Sequence, residues 1–285
     1  MATPARASRR TAPPAISSVG VTWVVFTLVG LAAGAGLLLH VEGERAILRE
    51  PAWTTGWILL ALMLALSALK LRKTLAALPL GRAAHWLVAH IVLGLLALWV
   101  YALHVGTLWP EGMIDRLLAG LVLATAASGI LGHGLQRILP RRLARTGDEI
   151  IFERIPARLA DLRDAADATV LQAVRETESE ILPRLHAEAL DWFFRRPRFF
   201  LGHLFGSGGE HWVGRRFADV ATFLGATERP YHARLRDLAL AKNRLDAHWA
   251  MQSVLRGWVF LHVVLAAALV LCGLWHMLVV HVYAG

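Results

Sequence analysis

Long apolar runs, rather than alternating or amphipathic ones, dominate the hydropathy pattern of this chain. Ser17 to His40 is nearly uncharged, and Thr55 to Leu69, His85 to Val105, Leu117 to Leu135 and Gly257 to Tyr283 follow. Four of these runs meet the roughly 20 residues that a helix needs to cross a hydrocarbon core about 30 Å thick. The second is cut by Lys70 and reaches that length if it starts at Trp53, or if the lysine stem snorkels to the surface. Five transmembrane helices are therefore expected. The first reads as a span and not a cleavable signal, because its run is too long and no small-residue cleavage pattern follows His40.

Between the fourth and fifth runs the pattern changes. Ile155, Leu159, Leu162 and Ala166, then Val170, Leu171 and Val174, recur at three- and four-residue steps, which predicts helices with one buried face. The FERIP stretch, Pro183 and the Pro197 region interrupt this pattern, and RRPRFFLGHLFGSGGEH (195–211) reads as an exposed turn that could touch headgroups or a partner. After Pro230 neither Gly nor Pro occurs before Gly257, so one helix is expected to run on into the last span. The expected fold is an all-α integral membrane protein. Its parts are an N-terminal tail (1–16), four spans (17–139), a helical domain (140–256) inserted before the last span, and a fifth span (257–285).

Charge sets the orientation. Basic residues gather in the N-terminal tail (Arg6, Arg9, Arg10), after the second span (Lys70, Arg72, Lys73, Arg82) and after the fourth (Arg137, Arg141, Arg142, Arg145). The alternate loops hold only Arg45, Arg49 and Arg116, among Glu42, Glu44, Glu50, Glu111 and Asp115. By the positive-inside rule the N-terminus and the 140–256 domain are cytoplasmic and the C-terminus is outside, as in a bacterial-type inner membrane. All but three of the 30 Lys and Arg then lie inside, so the net charge of +9 reflects topology and anionic lipid and does not call for a nucleic-acid partner. The composition agrees, with 56% apolar residues and a mean hydropathy of +0.50. The 140–256 domain mixes both signs of charge along its length, as a folded helical domain does.

Against this apolar background the histidines stand out. His90 and His104 are fourteen residues apart in the third span, and His262 and His276 are fourteen apart in the fifth. Fourteen residues of α-helix rise about 21 Å and return to nearly the same face. Both spans run from inside to outside, so His90 falls at the depth of His262 and His104 at that of His276. Imidazole is a common iron ligand, and ionisable groups at membrane depth are functional by default. Two such helices could hold two stacked haems, each iron gripped by one imidazole from each helix. Hydrogen bonding between helices is the plainer use of the same side chains.

The segments HIVLGLLALWVYALH (90–104) and HVVLAAALVLCGLWH (262–276) resemble those of the membrane di-haem cytochrome b proteins: the b subunits of quinol-oxidising complexes, formate dehydrogenases and nickel-iron hydrogenases, and the ferric-reductase-like spans. The resemblance covers the spans alone. It implies two haem b groups in a four-helix core, one near each face, with bis-histidine ligation by His90 with His262 and His104 with His276.

Other residues are lesser candidates. His133 descends to about the depth of His90 and is an alternative ligand, although Gly132 and Gly134 beside it suggest packing at a haem edge. His85 and His40 are candidates for a quinone carbonyl or a haem propionate, and Arg82 and Arg137 for propionates. His40 and His281 lie at the outer edge. Glycines of the first and fourth spans let helices or a flat porphyrin approach, and Gly94, Trp99, Gly273 and Trp275 could line the space between the haems.

The only cysteine is Cys272, so no four-cysteine cluster and no CxxCH haem attachment can form within this chain. No dinucleotide-binding or phosphate-loop signature is present either. The expected function is an electron-transfer subunit and not a stand-alone enzyme. It would link the quinone pool to a peripheral redox subunit, either an iron–sulphur protein or a c-type cytochrome. The alternatives are a stand-alone transmembrane metal reductase, with its metal-ion site at His40 or His281, and a haem-free transporter or scaffold using the histidines as a proton relay.

Overall fold

The structure is a computed structural model that describes residues 18–74, 82–107, 109–144, 150–206 and 208–283. The tail 1–16 with Arg6, Arg9 and Arg10 lies outside the described residues, as do Arg145 and the side chains of Lys70, Arg72 and Lys73. Among the described residues all regular structure is helical. Helices α1 (Ser18–Ala46), α2 (Ala52–Thr74), α3 (Ala83–Val105) and α4 (Met113–Leu143) come first. A 3₁₀ turn then leads into α5 (Ile155–Thr177), α6 (Ile181–Leu185), a π turn (His186–Leu190) and α7 (Asp191–Phe194). Helices α8 (Phe200–Phe205), α9 (Glu210–Ala221) and α10 (Arg229–Tyr283) complete the chain.

Four helices, α1, α3, α4 and α10, are long and apolar enough to cross a membrane, whereas α2 contributes a shorter apolar stretch, Ala52–Ser67. The protein therefore has the character of a multi-pass membrane protein. The expected continuation of the helix after Pro230 is present, because α10 is a single helix of 55 residues. α3 stops where Gly106 turns left-handed (φ 71°) and donates its N–H to the Ala102 carbonyl, a conformation that favours glycine.

The chain divides into two compact units, 1–129 with 262–285, and 130–261. In the first, α3 packs against both α1 and α2. Gly30 lets the Val92 methyl approach, and Gly34 receives the Trp99 indole, whose Nε1–H donates to the Gly34 carbonyl at 3.3 Å. Trp99 thus faces α1, and Trp275 is exposed, so neither is held between the histidine levels. Met63 of α2 lies against Gly273, and Leu66 against Gly94. Large apolar side chains such as Leu31 and Leu39 point outward, as lipid-facing residues do.

The second unit has a conventional apolar core. Ala166, Val170 and Ala173 of α5 pack with Leu182, Leu190, Phe193 and Phe194, with Val213 and Phe217 of α9, and with Leu235 and Ala239 of α10. The buried stripe of α5 differs from the expected one: Thr169 and Ala173 face inward while Leu171 and Val174 are exposed. Pro183 does not break a helix, since it sits in the first turn of α6, where a missing N–H costs little. Residues 195–211 are not an exposed turn throughout. They contain α8, bury His203 and place Phe199 against the aromatic cluster of Trp192, Phe193 and Trp212. Gly132 faces Trp258 so closely that a Cβ there would overlap the indole, so this glycine accommodates a side chain of its own unit.

Candidate functional site

In the first unit the two histidine pairs meet level for level. The rings of His90 (α3) and His262 (α10) lie 6.2 Å apart at 72°. At the other level His276 Nδ1 is 3.8 Å from Asp115 Oδ1, and His104 is within electrostatic reach of both. Fourteen residues separate the levels on each helix, so α3 and α10 run parallel and in register.

A hydroxyl group lies beside Nδ1 of two of these rings. Thr55 of α2 donates its proton to the Pro51 carbonyl at 2.7 Å. With its proton so placed, it is an acceptor toward His104 Nδ1, 3.0 Å away. Ser128 of α4 repeats the arrangement: it donates to the Thr125 carbonyl at 2.8 Å and its Oγ lies 2.7 Å from His262 Nδ1. Metal-bound histidines are oriented in this way by a partner on the other nitrogen. Helix α2 supplies that partner for His104, and α4 supplies it for His262, with Asp115 beside His276. The histidines and their supports thus come from four helices, α2, α3, α4 and α10, while α1 packs on α3.

Two further observations bear on whether a metal would fit. Two imidazoles sharing one ion would have ring centres roughly 6 Å apart, given about 2 Å for each metal–nitrogen bond. The His90–His262 separation agrees with this. His90 Nδ1 is also buried without a hydrogen-bond partner, while the ring reaches the Leu66 backbone. Gly56 clears space for His104, whose Cε1 would lie only 3.1 Å from a Cβ at that position, and Gly129 borders His262.

The lesser candidates fall elsewhere. His85 Nδ1 pairs with Thr22 Oγ1 at 2.6 Å, and Arg82 reaches Ser18 Oγ at 3.5 Å. His40 is exposed and 3.5 Å from Glu44, and His281 stacks on Trp53 with ring centres 5.9 Å apart. His133 and Arg137 belong to the second unit, where His133 is half-buried and Arg137 exposed. Among the described residues no group of three or more His, Cys, Asp or Glu converges as a metal cage, and a bis-histidine site needs none. Thr55, Ser128, Asp115 and Gly56 were not among the expected site residues. The available signal was a hydroxyl within an apolar run, where a polar group needs a named partner.

The second unit holds a buried polar cluster of its own. Lys242 and Asp246, one turn apart on α10, pair at 2.6 Å with almost no exposure. Lys242 Nζ also donates to the Arg196 carbonyl at 3.0 Å and lies 3.9 Å above the Phe193 ring. Asp246 accepts the Arg198 backbone N–H at 3.1 Å. Burial pushes Asp246 up to about 6 and Lys242 down to about 8. Burial, with Lys242 nearby, lowers His203 to about 4.

No protein-family model, curated protein or solved structure matches this chain.

Proposed function

We propose that this chain is a membrane-bound di-haem b-type cytochrome subunit that carries electrons between the quinone pool and a peripheral redox protein. The observation that carries the reading is the hydroxyl placed beside Nδ1 of both His104 and His262, one at each histidine level. An imidazole in an apolar bundle whose Nδ1–H is already engaged presents Nε2 as a ligand atom, and two such rings are set at two matched levels. His90 and His262 would hold one haem and His104 and His276 the other. Bound there, haem supplies a one-electron iron couple at each level.

The chain's own residues prepare that chemistry. Ser128 and Thr55 orient the rings and make them better donors by accepting their Nδ1–H. Asp115 adds negative charge beside His276, which favours a more positive metal at that level. Gly56 keeps the neighbouring helix clear of the His104 ring. The exposed apolar faces of α1, α3 and α10 hold the arrangement in lipid.

The test is electron passage in sealed proteoliposomes of the purified, haem-loaded protein. External quinol should reduce the b-type absorbance, and a membrane-impermeant acceptor inside should reoxidise it. Reduction without any internal acceptor turnover, in vesicles shown to be intact, contradicts a conduit spanning the membrane.

A further inference from the structure

The segment Arg195–Phe205 is built with more care than an incidental surface loop requires. Its backbone is clamped from beneath by the buried Lys242–Asp246 pair, through the Arg196 carbonyl and the Arg198 N–H. A buried ion pair is weak evidence of stabilisation, because desolvation offsets most of its attraction. Here it fixes the position of a basic loop. Above it Arg195 pairs with Asp191, with contacts at 3.0 and 2.5 Å, and Arg198 lies 3.9 Å over the Trp192 ring. The Arg196 side chain is exposed and has no carboxylate partner among the described residues. These side chains and Ala187 line an open cleft of about 490 Å³.

The next helix shows where this loop sits. Leu204 of α8 packs with Leu139, Ala247 and Met251, and Arg142 donates to the Leu204 carbonyl. Leu139 and Arg142 lie just beyond the apolar run of α4, and Met251 lies just before that of α10. α8 is therefore held beside the ends of these two apolar runs. Phe200 packs against Trp249 and His203 is buried, whereas Leu201 is 66% exposed and Phe205 82%. Exposed Leu and Phe next to arginines match the chemistry of an anionic bilayer surface.

We propose that Arg195–Phe205 is a lipid anchor in which Arg196 engages the phosphates of anionic phospholipids and Leu201 and Phe205 enter the acyl boundary. The occupant is a lipid headgroup and not free phosphate, because the apolar pair has no role with a soluble anion.

The experiment uses the full chain in nanodiscs of phosphatidylcholine with phosphatidylglycerol. In a Cys272→Ser background, a spin label at Phe205→Cys is compared with one at Phe223→Cys, which is 74% exposed on a loop outside this segment. The label at 205 should collide preferentially with oxygen, and the label at 223 with a water-soluble nickel chelate. Equal chelate access at both positions overturns the proposal. In a second arm, the phosphatidylglycerol retained on the purified protein is counted by native mass spectrometry. Arg196→Ala should lower its preference over phosphatidylcholine about fivefold, while Arg196→Lys keeps most of it. An unchanged preference, or displacement of the lipid by millimolar inorganic phosphate alone, also overturns it.

Discussion

Replacing Ser128 by alanine isolates the hydroxyl that holds His262. Ser128 is buried and its Oγ lies 2.7 Å from His262 Nδ1. The substitution removes one atom from a helix that tolerates alanine well, so α4 itself is not destabilised. It leaves the Nδ1–H without its acceptor in apolar surroundings, a cost of about 1–3 kcal/mol. Losing such an orienting partner typically weakens metal binding about 10- to 100-fold. The hydrogen bond favours the oxidised metal by enriching the imidazole, so its loss should also raise the potential at that level. Each tenfold difference in affinity between the two oxidation states corresponds to about 60 mV for one electron. Redox titration in a His276→Ala background, where only the His90–His262 level remains, should show an upward shift of tens of millivolts together with lower haem retention. Thr22→Val removes the equivalent hydroxyl from His85 and should change neither. Unchanged potential and retention in Ser128→Ala would refute the role given to this hydroxyl, as would an equal effect of Thr22→Val.

Three further outcomes are expected. His276→Ala should remove one haem and leave the other, read as half the b-type absorbance per chain. Gly132→Ala forces a methyl into the Trp258 indole and should destabilise the second unit by about 1–3 kcal/mol, seen as faster hydrogen exchange across 130–143 and 247–261. On acidification His203, held neutral in the fold, loses stability between about pH 6.5 and 4, because the unfolded chain takes up the proton first. Asp246 has a raised value and gains stability as pH falls through about 6, so the two offset each other. Asp246→Asn should therefore make thermal stability fall more steeply below pH 6 than in the parent protein.

Much of the membrane unit was legible because spanning helices are read from length and apolarity, which are local properties. The two fourteen-residue histidine spacings were equally readable, since an α-helix converts spacing directly into depth and face. The supports were not. Thr55, Ser128 and Asp115 come from other helices, and nothing in the sequence says which neighbour a hydroxyl will meet. Gly132, expected to let a helix or a flat porphyrin come close, is faced by Trp258, a partner far along the chain that its own segment does not name. In the second unit, Lys242 and Asp246 at i and i+4 look like a solvated face in sequence, yet both are buried. Phe199 and His203 turn inward for the same reason: the loop that carries them is fixed by that hidden pair and not by its own composition.

The most direct measurement is the haem content of the purified chain from haem-replete cells, taken with its reduced-minus-oxidised spectrum. Two b-type haems per chain are expected, both lost when one histidine is removed from each level, as in the double variant His90→Ala with His104→Ala. A preparation with no b-type band, or one whose haem survives that double substitution, would contradict it.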